Sequence, residues 1–150
     1  AIFFAKGVIE TVRKLNWSPD IIHVHGWMAS LFPLYLKTYY KDEPVFENSK
    51  IVTSVYDKSF DESLNKKLVD KILFDEINEE LIKGLKDPSY NNLMKNAIDF
   101  SDAIILGSQK IPTGVQDHLN SSKKPVLSYQ TRETFSETYT EFYKNEVLNQ

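Results

Sequence analysis

An α/β fold in which a parallel β-sheet is flanked by helices is what this sequence predicts, on three observations. Ile21-Ile22-His23-Val24-His25 and Ala103-Ile104-Ile105-Leu106 are short runs apolar on both faces, the pattern of strands covered from both sides. Lys50-Ile51-Val52-Thr53-Ser54-Val55-Tyr56 is β-branched and aromatic and reads as a third strand. Helical periodicity fills the stretches between them, so strands and helices alternate as they do in βαβ units, whose strands run parallel.

Element by element, Phe4, Val8, Val12 and Leu15 recur at the spacing of one helix face, which predicts a helix over 3–15, stopped by Asn16-Trp17-Ser18-Pro19. The strand 21–25 follows and Gly26 punctuates it. From Met28 to Tyr40 the pattern is helical again, with Leu31, Leu34, Tyr35 and Tyr39 on one side, and Pro33 is tolerated only in the first turn. After the strand 50–56, residues 57–86 mix charges with Leu68, Ile72, Leu73, Ile77, Leu81 and Leu85, an excursion with helical pieces. Asp87-Pro88-Ser89 is a helix start, since Asp caps free amides and Pro suits the first helical position. Tyr90, Leu93, Met94 and Ala97 mark that helix's buried stripe, and Phe100-Ser101-Asp102 ends it before the strand 103–106. Phe135, Tyr139, Phe142 and Tyr143 predict an amphipathic C-terminal helix between Ser128 and Gln150, its aromatic stripe serving as core or interface.

Composition narrows the function classes. With 150 residues, 41% hydrophobic and 26% charged, the chain suits one globular domain and is too apolar for disorder. Eighteen basic against 21 acidic side chains give a net charge of -3, so no basic field exists to hold a nucleic acid. The absence of Cys excludes disulfides, thiolate metal sites and thiol catalysis, and fits a reducing cytoplasm. No apolar run is long enough to span a membrane. The N-terminus is a poor signal peptide. It opens inside an apolar pattern without a Met, and so reads as a piece of something longer.

The densest group of reactive side chains is His23-Val24-His25-Gly26-Trp27, at the carboxyl end of a parallel strand, where open α/β sheets bind their ligands. Strand alternation turns His23 and His25 to one face, so both suit one crevice; both also suit a hydrogen-bonded packing role in a sheet. A metal site is not expected, because His-x-His supplies two ligands and the remaining His118 has no carboxylate pattern beside it. Gly107-Ser108, where a strand turns toward a helix, offers backbone amides to an anionic group, or is turn chemistry alone. No glycine-rich phosphate loop is present, and Ser54, Ser59 and Ser108 lack the context of a hydrolase nucleophile. Asp75-Glu76-Ile77-Asn78-Glu79-Glu80 reads as a solvated helix face.

The segment Pro19-Asp20-Ile21-Ile22-His23-Val24-His25-Gly26-Trp27-Met28-Ala29-Ser30-Leu31-Phe32-Pro33-Leu34-Tyr35-Leu36-Lys37 resembles the Pro-Asp-(apolar)2-His-x-His-Asp-Trp-x-x-x-Leu-x-Pro-x-Tyr-Leu-Lys stretch of bacterial glycogen and plant starch synthases. Lys50 to Phe60 and Ala97 to Ser108 resemble the family's following strand and helix-to-strand segment in the same order, so the resemblance covers most of Phe4 to Gln109. It implies an incomplete N-terminal half of a GT-B glycosyltransferase fold, with residues 1–150 as a partial N-terminal Rossmann-like domain. It also implies transfer of glucose from ADP-glucose to an α-1,4-glucan without a cofactor, His25 being catalytic and His23, Trp27, Tyr56 and Ser108 binding substrate. Departures are informative: Gly26 stands where the family has Asp, Met28 where it often has His, and Ser54-Val55-Tyr56-Asp57 where it has Thr-x-His-Asn. The family's Lys-x-Gly-Gly-Leu loop and its diphosphate-clamping second domain are missing from these residues. The expectation is therefore a glycosyltransferase domain fragment inactive in isolation, and the alternative a non-catalytic glucan-binding or protein-interaction module. A truncated sheet also predicts a homodimer, joined through the C-terminal aromatic stripe.

Overall fold

Four strands lie side by side in chain order in the computed structural model, which describes residues 1–149: β1 (Ile21–His25), β2 (Lys50–Val55), β3 (Ala103–Leu106) and β4 (Val126–Leu127), all parallel. The helices are α1 (Ile2–Lys14), α2 (Phe32–Lys37), α3 (Lys67–Leu73), α4 (Tyr90–Phe100), α5 (Thr113–Ser121) and α6 (Phe135–Phe142). Short 3₁₀ turns occupy Trp27–Ala29, Pro44–Phe46 and Glu79–Lys86, and α6 runs into a wider π turn over Tyr143–Val147. The chain has the expected α/β, Rossmann-like parallel sheet flanked by helices.

Strand alternation divides the core in two. Val24, Ile51, Val55 and Ile104 face α1, α2, α4 and α5, whose Ile9, Leu34, Tyr35, Leu93, Met94, Ile98 and Val115 are buried against that side. Because each step from β1 to β4 moves to the adjacent strand in the same direction, right-handed connections put every crossover helix on this one face. The opposite face presents Ile21, Val52, Ala103, Ile105 and Leu127, and α6 with its π turn covers it through Phe142 and Val147. Residues five apart stand roughly 140° apart around an α-helix, so the wider turn helps bring Val147 to the side that Phe142 faces.

Local signals explain most boundaries. Pro33 sits in the first turn of α2, as expected. That helix is shorter than the predicted 28–40, however: residues 27–29 wind as a 3₁₀ turn and Thr38 leaves helical geometry, its hydroxyl donating to the Leu34 carbonyl at 2.6 Å. Ser89 caps α4, and α4 ends where Ser101 turns extended and donates to the Ala97 carbonyl. Ser101 then accepts from Thr53 at 2.7 Å, which ties α4 to β2 inside the core.

The stripe Phe4, Val8 and Leu15 of α1 is exposed, and the helix buries Ala5 and Ile9 instead, against α2. Phe4, Val8 and Val12 line an apolar groove of about 370 Å³ beside β1, with Trp17, Ile22 and Phe46. Among the described residues β1 pairs only with β2, so its other edge opens on this groove. The C-terminal helix starts at Phe135 rather than Ser128, and the residue Gln150 of that prediction lies outside the described residues. Tyr139, Phe142 and Tyr143 of its aromatic stripe pack within the chain on the second face of the sheet while Phe135 stays exposed, so the stripe as a whole is not left free to join two copies as the expected homodimer.

Candidate functional site

Parallel strands bring their carboxyl ends to one edge, and there His25, Gly26, Tyr56, Gly107 and Ser108 meet. The β1–β2 register sets His23 beside Val52 and His25 beside Ser54, all on the face covered by α6. His23 Nε2 lies 2.7 Å from Ser54 Oγ and its Nδ1 lies 2.6 Å from the Tyr143 hydroxyl. The rings of His23 and His25 stack with centroids 4.0 Å apart. Nδ1 of His25 is 2.8 Å from the Tyr56 hydroxyl. His23, His25 and Tyr56, three of the five residues singled out in the sequence, thus form one connected group.

The electrostatics follow from this packing. Burial, followed by the neighbouring His25 ring, pushes the His23 pKa down to about 4. Burial lowers that of His25 as well, although the residue remains exposed at the sheet edge. Burial first, then Tyr139, pushes the Tyr143 phenol up to about 12. Near neutral pH both imidazoles are therefore neutral and the Tyr143 phenol keeps its proton.

Gly26 leaves β1 at φ 67° and ψ -177°, a backbone region almost confined to glycine. This accounts for glycine at a position where Asp was the family pattern. The turn sends Trp27 to the far side, where it packs edge-on against Phe60 with centroids 5.1 Å apart, and Phe60 in turn packs on Tyr90. Trp27 is half-buried in a hydrophobic cluster, away from the histidine pair. The Tyr56 ring lies over Gly107, where a Cβ would come within 2.3 Å of it, and the Tyr56 carbonyl accepts from the Tyr90 hydroxyl at 2.8 Å. Ser108 is tied to Asp57: its hydroxyl accepts from the Asp57 amide at 3.1 Å and donates to the Asp57 carboxylate at 3.0 Å.

Ser54, Asp57 and Tyr143 were not singled out as site residues, and Gly107 was considered only for its backbone amide. Period-two alternation across from His25 was a usable signal for Ser54. Tyr143 had none, because it lies 120 residues from His23 in the chain. Among the described residues no group of three or more His, Asp or Glu is placed to hold a metal ion, and no helix is long and apolar enough to cross a membrane.

A family model described as the starch synthase catalytic domain matches residues 1–124. Relatives include a glycogen synthase of Chlorobium phaeovibrioides, 37% identical over 102 residues, which are 68% of this chain and 20% of that protein. That of Chlorobium phaeobacteroides is 42% identical over 110 residues, 73% of this chain and 22% of the relative. That of Thermotoga maritima is 33% identical over 106 residues, 69% and 21% of the two chains. The chain thus spans about a fifth of the length of the curated relatives it matches. No solved structure gives a match.

Proposed function

The chain belongs to the starch synthase catalytic domain family, and from that premise we propose that it supplies one wall of a cytoplasmic sugar-transfer crevice whose reaction moves glucose from ADP-glucose to an α-1,4-glucan. The observation that carries this reading is the exposed His25 at the carboxyl edge of the sheet, held at Nδ1 by Tyr56. In this proposal the Tyr56 hydroxyl donates to Nδ1, which leaves the proton on Nε2 as a directed donor. When the donor's glycosidic bond breaks, charge develops on the sugar ring and on the departing diphosphate. A neutral imidazole orients the sugar through a hydrogen bond and stabilises that charge separation without placing a competing cation beside the ring. His23, Tyr56 and Ser108 shape the crevice around it, and Trp27 braces the turn that follows β1.

In the same proposal these 150 residues do not transfer sugar alone. The hydrogen-bonded group of His23, His25, Ser54, Tyr56, Asp57, Ser108 and Tyr143 contains no Lys or Arg to neutralise a leaving diphosphate, a contribution of several kcal/mol in such reactions. A second reading, a non-catalytic glucan-binding or interaction module, is favoured by Tyr56, whose ring fills the space over Gly107 beside His25. Calorimetric titration separates the two. The expected result is weak binding of glucose or maltooligosaccharide that disappears in His25→Ala, with no tight binding of ADP-glucose. Micromolar ADP-glucose binding lost in His25→Ala overturns the inactive-fragment reading, and sugar binding unaffected by that change makes the histidines structural.

A further inference from the structure

Beyond the stretch matched by the family, the segment carrying α6 returns to the sheet and places Tyr143 against His23. We propose that Tyr143 is a positioning residue that holds His23 as the Nε2–H tautomer and thereby fixes the ring on which His25 stacks. Both ring nitrogens of His23 have a hydroxyl within reach, the Tyr143 phenol at Nδ1 and the Ser54 alcohol at Nε2, so two proton arrangements satisfy the geometry. They are not equal in strength. A phenol is a better donor than an aliphatic alcohol, and its oxygen is a poorer acceptor because a lone pair is delocalised into the ring. The stronger chain therefore runs from the Tyr143 O–H to Nδ1, and from Nε2–H to Ser54 Oγ.

The surroundings keep this chain in place. Tyr143 is half-buried, its neighbour Phe142 and nearby Val147 are packed on the sheet, and Tyr139 leans on His23 with ring centroids 6.0 Å apart. The raised Tyr143 pKa keeps the phenol a donor across the neutral range. The Tyr56–His25 contact repeats the arrangement one residue pair closer to the sheet edge. Two tyrosines from different parts of the chain each address an Nδ1, and the His23 ring, its Nε2–H given to Ser54, fixes the surface on which the exposed His25 ring stacks. This concerns the imidazole pair whatever ligand it meets, and so stands apart from the sugar-transfer reading.

The test is long-range ¹H–¹⁵N correlation of the histidine rings in the 150-residue protein at neutral pH. Wild type is expected to show His23 as a single Nε2–H tautomer, together with a slowly exchanging Tyr143 hydroxyl proton that has an NOE to the His23 ring. In Tyr143→Phe the two His23 nitrogens are expected to move toward averaged shifts and the His25 ring resonances to follow. An Nδ1–H tautomer in wild type overturns the proposal even where the variant fails to fold. So does a folded Tyr143→Phe protein whose His23 pattern is unchanged.

Discussion

Burial of His23, and after it the neighbouring His25 ring, oppose a second proton on its imidazole, and this has a thermodynamic signature. The folded-state pKa of about 4 lies below the ordinary value of 6.5, so the unfolded chain binds more protons between those two pH values. Stability from this residue is then fully present above pH 6.5 and is lost as pH falls through the folded value. Allowing for the part of the ring that meets solvent, the loss is on the order of 2 kcal/mol. Urea unfolding from pH 7 to pH 4.5 is expected to show a steeper decline for wild type than for His23→Gln. Parallel declines would mean that His23 titrates normally. Gly26 and Gly107 act at the same scale, one by its left-handed backbone and the other by leaving room for the Tyr56 ring.

Among the elements, α6 and its π turn differ from the rest in covering the second face of the sheet. Phe142 is 7% exposed and packs with Val52, Ala103 and Ile105, so Phe142→Ala is expected to cost about 3 kcal/mol and to lower the urea midpoint. A change under 1 kcal/mol would mean that α6 is only loosely attached. How legible each element was depended on how much its own residues bury. β1, β2 and β3 were readable because strands covered on both sides are apolar throughout, and α4 because Tyr90, Leu93, Met94 and Ala97 all face one core. α5 and β4 went unread: α5 buries only Val115 and Leu119, and β4 is two residues between Pro125 and Ser128. In α1 the periodic stripe was real, but Ala5 and Ile9 form a second apolar face that wins the contact with α2. The histidine pair was visible in the motif, and its link to Tyr143 was not, because that contact exists only once α6 has docked.

For the molecule as a whole, the free edge of β1 and the exposed Phe4, Val8 and Trp17 form a departure from a closed core. Apolar surface of this kind binds hydrophobic dyes and promotes association. The folded 150-residue protein is expected to enhance anilinonaphthalene sulfonate fluorescence near neutral pH, and Val8→Glu to reduce that signal while leaving the unfolding midpoint within experimental scatter. Val8 is 37% exposed and contributes little to the core, so a large loss of stability in Val8→Glu would show that the groove is closed in solution.

The covering of Val52, Ala103 and Ile105 by residues as late as Val147 has a consequence during synthesis. By the time Leu127 is made, the four strands and the crossover helices of the described residues have been synthesised, yet Phe142 and Val147, which pack on one side of the sheet, have not. At about 5–20 residues per second the twenty residues from Leu127 to Val147 take roughly 1–4 s. For that interval the nascent chain carries an assembled but half-clad sheet, a natural substrate for chaperones that bind chains still on the ribosome. Codon choice in this last stretch then sets how long the uncovered face is on offer.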